Sequence, residues 1–226
     1  PEQLGTPDLL VLPGSKSTLS DLEWLRQSGL AEPIMRLAEG GTPIIGICGG
    51  YQMMGKTIYD PEHVESPESQ ADGLGLLPVI TIFTGTKATH RVAGRVSVGA
   101  ARGLLAGAET TVLRGYEIHM GISNVEGESA FRLSRHREAG DHPDGALSED
   151  GLRLGTYVHG LFENATIRQS VLRAAHIRSG REGAQLPPPG PSWSRQASYD
   201  MLADMLGEHL DMDRLWKIVG LERVTG

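Results

Sequence analysis

The chain holds a single cysteine, Cys48, and the residues around it are those best placed to do chemistry. It lies in the stretch T-P-I-I-G-I-C-G-G-Y-Q-M-M-G, residues 42–55, where Gly46, Cys48 and Gly50 fit the spacing G-x-nucleophile-x-G. Small residues two before and two after a nucleophile let a strand turn sharply into a helix without side-chain collision. The apolar run 43–47 reads as that strand and 49–54 as the start of that helix, which puts the thiol in the turn at the sheet edge. A free thiol titrates near about 8.5, and a helix N-terminus beside it favours the thiolate, the form that attacks a carbonyl carbon. The ordinary role of a lone cysteine is that of a small buried apolar side chain. Such a residue has no need of Gly46, Gly49 and Gly50, which weaken both strand and helix, so the glycines favour a nucleophile.

A thiol nucleophile needs a base that removes its proton and returns one to a leaving group, commonly histidine. Of the eight histidines, His63, His90, His136, His142, His176 and His209 sit in polar, loop-like or helical contexts that suit solvated or capping roles. His159 closes the strand-like run G-T-Y-V and precedes Gly160, which places its ring at a strand's carboxyl end with Cys48. His119 lies inside the strand-like segment G-Y-E-I-H and fits a buried role equally well. Hydrolysis of an amide also needs donors for the oxyanion, which backbone N–H groups at tight glycine turns supply. The N–H of Gly49 follows the nucleophile, and Gly14 ends an earlier strand in the sequence L-P-G. Taken alone, Gly14 reads as an ordinary turn glycine.

The elements that position these groups alternate. Residues 8–12, D-L-L-V-L, suit a parallel strand covered on both faces and ended by Pro13-Gly14. Ser20 and Glu23 have capping-box spacing for a helix that stops at Gly29. A second helix with Pro33 in its first turn closes at Gly40-Gly41, before the strand that leads to Cys48. Strand, helix, strand, helix predicts a doubly wound, mostly parallel α/β sheet with its site at the carboxyl ends of the strands. Residues 59–71 read as an acidic, solvated surface loop. Residues 79–83, 92–98 and 115–119 read as strands of a β-rich middle section, and a helix is expected over about 166–175. Residues 179–195 read as a Pro/Gly-rich linker. The tail 196–226 is helical by the spacing of Met201, Leu202, Met205, Leu206 and Leu210, a docking stripe rather than a cofactor site. The 226 residues are 39% hydrophobic and 22% charged, with 30 glycines, 13 prolines and a formal charge of −7, which suits one globular domain with many turns. Dispersed acidity excludes a nucleic-acid or anionic-membrane partner, and one cysteine excludes an internal disulfide framework. With no signal peptide or long apolar run, the expected compartment is the cytoplasm.

Four segments, L-P-G-S-K-S-T, G-I-C-G-G-Y-Q-M-M-G, G-Y-E-I-H-M-G and Y-V-H-G-L-F-E-N, together resemble the class I glutamine amidotransferase domains of the cobyric acid synthase family. The resemblance runs from residue 1 to the C-terminal helices, and the L-P-G-S-K loop separates this branch from related ones that share the C-G-G elbow. It implies a flavodoxin-like fold and hydrolysis of glutamine through a thioester at Cys48, with His159 as acid and base. Gln52, four residues after the nucleophile, would contact the substrate, with Tyr116 and His119 lining the same pocket. The wider class has a glutamate two residues after the histidine, where this chain has Leu161. Glu163 is the nearest carboxylate that can orient the ring. The resemblance further implies that the domain, residues 1–178, lacks a first strand and that an ATP-using synthetase domain stands upstream. There ammonia would convert adenosylcobyrinic acid a,c-diamide to cobyric acid in cobalamin biosynthesis, with ATP and Mg2+ belonging to that domain and no cofactor or metal in this chain. Two alternatives stay open: a glutaminase serving another synthetase, such as one that amidates a peptidoglycan precursor, and a scaffold that only docks the synthetase.

Overall fold

The structure is a computed structural model that describes residues 4–181, 186 and 195–220. It divides into two compact units, Pro1–Pro189 and Gly190–Gly226. The first opens with β1 (Leu10–Leu12), α1 (Thr18–Gln27), α2 (Ala31–Glu39), β2 (Ile44–Ile47) and α3 (Gly49–Met54). Then come β3 (Thr57–Tyr59), β4 (Gln70–Asp72), β5 (Val79–Val96), β6 (Leu113–Val125), β7 (Ser129–Arg135) and β8 (His142–Leu147). It closes with β9 (Arg153–Thr156), β10 (Val158–His159) and α4 (Ala165–Arg178). The second unit carries α5 (Arg195–His209) and α6 (Met212–Val219).

All ten strands join one sheet in the order β1-β2-β9-β8-β7-β5-β3-β4, with β6 paired to β5 and β10. The parallel pairs β1–β2 and β2–β9 fit the alternation of strands and helices in the sequence, and β3–β5 is parallel with no helix between its strands. The β-rich middle section supplies antiparallel pairs, the longest between β5 and β6. Apolar residues on both faces of β2 explain how the layers form. Ile44 and Ile45 are both fully buried, yet they point to opposite faces because strand side chains alternate. Ile44 joins Leu22, Ile34, Tyr51 and Met54 in the core beneath α1, α2 and α3. Ile45 joins Leu104, Phe131, Ile167 and Val171 in the core beneath α4. The spacing of Ile167, Val171 and Ala175, all buried, turns one stripe of α4 onto the sheet.

Two local expectations are corrected and a third is refined. Residues 79–83 and 92–98 are not separate strands. Residues 79–96 form one strand, whose pairing with β6 shifts register between Ile82 and Lys87, and that irregularity hid its continuity. The helix expected to start at a Ser20–Glu23 capping box starts two residues earlier, at Thr18, and Ser17 makes no side-chain cap bond. The cap comes from afar, because Glu65 Oε2 accepts the Thr18 N–H at 2.8 Å. The acidic loop that holds Glu65 is exposed over most of its length, as read from the sequence, but its middle, Val64, Glu65 and Ser66, is half-buried. β3 and β4 pair at its base, and the fully buried Asp60 carboxylate accepts the N–H groups of Val64, Glu65 and Ser66 at 2.7, 2.9 and 2.9 Å. Burial works against that charge, but the three donors outweigh it and hold the carboxyl below the ordinary range.

In the second unit, α5 carries the apolar spacing read from the sequence. α6 is capped by the Asp211 side chain, which accepts the Arg214 N–H at 3.0 Å, and ends at Gly220 in the left-handed conformation. Most of the stretch read as a linker, 182–185 and 187–194, lies outside the described residues, as do 221–226 of the tail. Among the described residues no helix is long and apolar enough to cross a membrane.

Candidate active site

Cys48 sits where β2 gives way to α3, with φ 53° and ψ −111°. A non-glycine residue in that conformation costs on the order of 1–3 kcal/mol, so its surroundings must enforce it. The Cys48 N–H is held by the Thr156 carbonyl of β9 at 2.9 Å, and its own carbonyl accepts the Gln52 N–H at 3.0 Å. The flanking glycines make the turn possible by close approach. A Cβ on Gly50 would stand 2.0 Å from the Leu12 carbonyl oxygen, and one on Gly46 would stand 2.6 Å from the Met54 sulfur. Neither position admits a larger residue without moving backbone or core.

Cys48 is 7% exposed, and its Sγ lies 3.5 Å from the Ile118 carbonyl oxygen. Burial raises its pKa, the Gly49 N–H directed at it pulls the other way, and Glu65 pushes it up again, so the net shift is upward. This corrects the expectation that a helix N-terminus would favour the thiolate. α3 has only 6 residues, and desolvation wins. A resting thiol needs a base.

His159 ends β10, directly opposite Tyr116 of β6. The two rings stack 5.0 Å apart at an interplanar angle of 8°. The imidazole shares Gly14 with the thiol. The point where a Gly14 Cβ would stand is 3.4 Å from His159 Cε1 and 3.5 Å from Cys48 Cβ. Burial holds the His159 pKa below its ordinary value despite the Ile118 carbonyl, which favours the protonated ring. Its Nε2 is buried without a hydrogen-bond partner. A neutral ring with one uncommitted nitrogen is what a general base requires. Glu163 lies against Gly160, its Cδ 3.3 Å from the point where a Cβ would be, and among the described residues it makes no hydrogen bond with the His159 ring. The ring is held instead by the Tyr116 stack and the Ile118 carbonyl.

A cavity of about 620 Å³ opens over these groups. Gly14, Ser15, Lys16 and Thr18 line it from the loop after β1, Cys48 and Gln52 from the elbow, and Ile118, His119 and Met120 from β6; Glu65, Lys87 and His159 complete it. The sequence-expected Gly14, Cys48, Gln52, His119 and His159 thus meet in one place. Gly49 packs beneath it, where a Cβ would be 2.9 Å from the Ser15 nitrogen. Tyr116 stands behind His159 rather than in the lining. Gln52 is 2% exposed and already engaged. Its Oε1 accepts from the Thr18 hydroxyl at 3.0 Å, and its Nε2 donates to the Met120 carbonyl at 2.9 Å and the Tyr157 hydroxyl at 3.0 Å. Only a lone pair on its carbonyl oxygen is left for a ligand. His119 stacks on Tyr157 at 3.6 Å, and burial lowers its pKa against the pull of Glu117. Its Nε2 has no partner, and the ring also lines a second cavity of about 430 Å³ with Glu117, Arg135 and Asp144.

Asp144 is a residue that sequence reading missed. Its carboxylate accepts the Thr156 hydroxyl and, at 3.1 Å, the Tyr157 N–H, while Thr156 Oγ1 accepts the Val158 N–H at 3.0 Å. The same Thr156 holds the Cys48 N–H. One buried carboxylate therefore fixes the joint between β9 and β10 that sets both Cys48 and His159. Burial pushes its pKa up to about 7. No sequence signal marks Asp144 in the surrounding H-P-D-G, which forms the start of β8. Glu65 was missed for a related reason, since an acidic residue in a polar, proline-punctuated loop resembles solvated surface.

A thiol on a constrained backbone and a neutral imidazole that line one cavity make a candidate cysteine–histidine site, a pairing able to open an amide through a thioester. The family follows from comparison: the model of the CobB/CobQ-like glutamine amidotransferase domain matches residues 1–167, and the chain belongs to that family. It is 46% identical over 228 residues to the cobyric acid synthase of Moorella thermoacetica, covering 97% of this chain and 42% of that protein. To the cobyric acid synthase of Sorangium cellulosum it is 45% identical over 238 residues, 99% of this chain and 45% of that protein. To that of Dehalococcoides mccartyi it is 41% identical over 219 residues, 96% of this chain and 42% of that protein. The chain thus spans about two fifths of the length of the curated relatives it matches.

Proposed function

We propose that this chain hydrolyses glutamine at Cys48 and supplies the ammonia to an ATP-dependent synthetase portion that amidates corrinoid carboxylates, converting adenosylcobyrinic acid a,c-diamide to cobyric acid. The observation that carries the glutaminase step is that Cys48 and His159, whose Nε2 has no partner, both pack against Gly14 in one cavity. The corrinoid acceptor is supported by the names of the relatives.

In this reading His159 takes the thiol proton as Sγ attacks the glutamine amide carbon. The oxyanion is met by the N–H groups of Gly49 and Gly14. Collapse of the tetrahedral species breaks the C–N bond, and His159 returns its proton to the departing nitrogen, which leaves as ammonia. A water molecule, deprotonated by His159, then opens the glutamyl thioester and releases glutamate. A dyad suffices because the ring needs only a fixed orientation, which Tyr116 and Ile118 provide.

The test uses the full-length protein. Cys48→Ser is expected to abolish amidation from glutamine while leaving amidation from free ammonium largely intact, because only the nitrogen source is lost. If the folded variant lost both reactions to the same degree, the division between glutaminase and synthetase would be wrong.

A further inference from the structure

The outer face of the β5–β6 ribbon carries apolar side chains where an antiparallel sheet open to water ordinarily carries polar ones. Thr81, Phe83, Glu117 and His119 point inward and are buried, and their strand neighbours point the other way. On that outward face Tyr59 of β3 stands beside Ile82 of β5, and Ile82 beside Ile122 of β6, one row across three paired strands. Along β6 the face continues through Met120 and Ile118 to Tyr116. Tyr59, Ile82, Ile122, Ile118 and Tyr116 are between 37% and 60% exposed. Apolar residues exposed singly need no explanation, but neighbours in register form a patch, and such patches mark interfaces. This one runs to the mouth of the catalytic cavity, whose lining includes Ile118, Met120 and Lys87. Lys87, opposite Met120, and Arg91, opposite Tyr116, are exposed along its edge, two cations in a chain of formal charge −7.

We infer that this face docks the synthetase portion, through an apolar surface edged by carboxylates. The inference rests on the proposed function. The curated relatives hold more than half of their length outside the region this chain matches, and that length needs a seat on the domain. Ammonia released into water is lost to dilution and protonation, so the surface continuous with the cavity mouth is the one that has to meet the portion bearing the acceptor. A second copy of the chain, or the apolar stripe of α5, would cover the same patch without bringing an acceptor to the cavity. Portions of one polypeptide meet at high effective concentration, and an interface of about 600–1,500 Å² is ordinary between them. β6 also carries the Ile118 carbonyl that faces both Cys48 and His159, so contact on its outer face bears on the wall of the site.

Ile122→Asp in the full-length protein puts a charge in the middle of the row at a residue that does not line the catalytic cavity. Basal glutamine hydrolysis and amidation from free ammonium are expected to stay within about twofold of the wild type, while amidation from glutamine falls by about tenfold or more, the usual effect of spoiling a central interface residue. Arg91→Glu is expected to lower it in the same direction, and Val98→Asp, on the exposed turn after β5, to change none of the three rates. Amidation from glutamine that survives Ile122→Asp at the wild-type rate overturns the inference, and an unaffected Arg91→Glu protein overturns the charge match. A photo-reactive p-benzoylphenylalanine placed at position 122 is expected to cross-link to the synthetase portion of the same polypeptide. Cross-links to a second copy or to the tail 196–226, or none at all, overturn the inference even if Ile122→Asp folds poorly. A folded wild type that releases no glutamate from glutamine contradicts the glutaminase reading itself.

Discussion

Burial acts in opposite directions on Cys48 and His159, raising the thiol and lowering the imidazole, so the pair rests neutral. In the proposed reaction, proton transfer between them must then accompany attack, which would place most of the catalytic burden on the histidine. We expect His159→Ala to slow glutamine hydrolysis by about a hundredfold or more, the scale of positioned acid–base catalysis. Glu163→Gln, by contrast, should cost less than about tenfold, because the ring is oriented by Tyr116 and Ile118 rather than by that carboxylate. Single-turnover rates of both variants check this, and comparable losses in equally stable proteins would restore a triad. Cys48 and His159 were legible in the sequence because glycine spacing and strand ends are local signals. What holds them was not, since the Ile118 group at the site is a backbone carbonyl and no side chain announces it.

At the scale of elements, the joint between β9 and β10 depends on Asp144, whose titration gives it a signature in stability. Its native pKa of about 7 stands above the ordinary 3.8, so the native state keeps a proton that the unfolded chain releases. The contribution of Asp144 is therefore greatest below about pH 4, falls as pH rises towards about 7, and is level beyond. Asp144→Asn cannot titrate and is expected to gain on the wild type in denaturation midpoint between pH 5 and pH 8. A constant difference across that range would mean that the carboxyl titrates alike in both states. Sequence reading found α3 with its bounds intact, because glycines mark its start, and placed β2 within a residue. It split β5 and misplaced the start of α1, because a register shift and a cap supplied from residue 65 are both tertiary events without a local pattern.

The parallel strands that set the site were legible from alternation, whereas the antiparallel pairing of the middle section needed the structure. For the whole protein, the proposed function and a thiol that burial keeps protonated leave room for the synthetase portion to activate glutamine hydrolysis. In the full-length protein, ATP and the corrinoid acceptor are expected to raise glutamine hydrolysis by about 5- to 150-fold, the usual range of coupling between sites. Glutamate release measured with and without them decides it, and equal rates would mean that the two reactions are uncoupled. The β6 wall carries a consequence of another kind. Ile118 lies between the thiol from the first third of the chain and the imidazole from its last third, and β6 joins the sheet by pairing with β5 and β10. Such long-range pairings close late, because the entropy of the intervening loops must be overcome first. On the proposed function the nucleophile is therefore assembled among the last parts of the fold, and a chain still emerging or half-collapsed would carry an inert sulfur rather than a stray amidase.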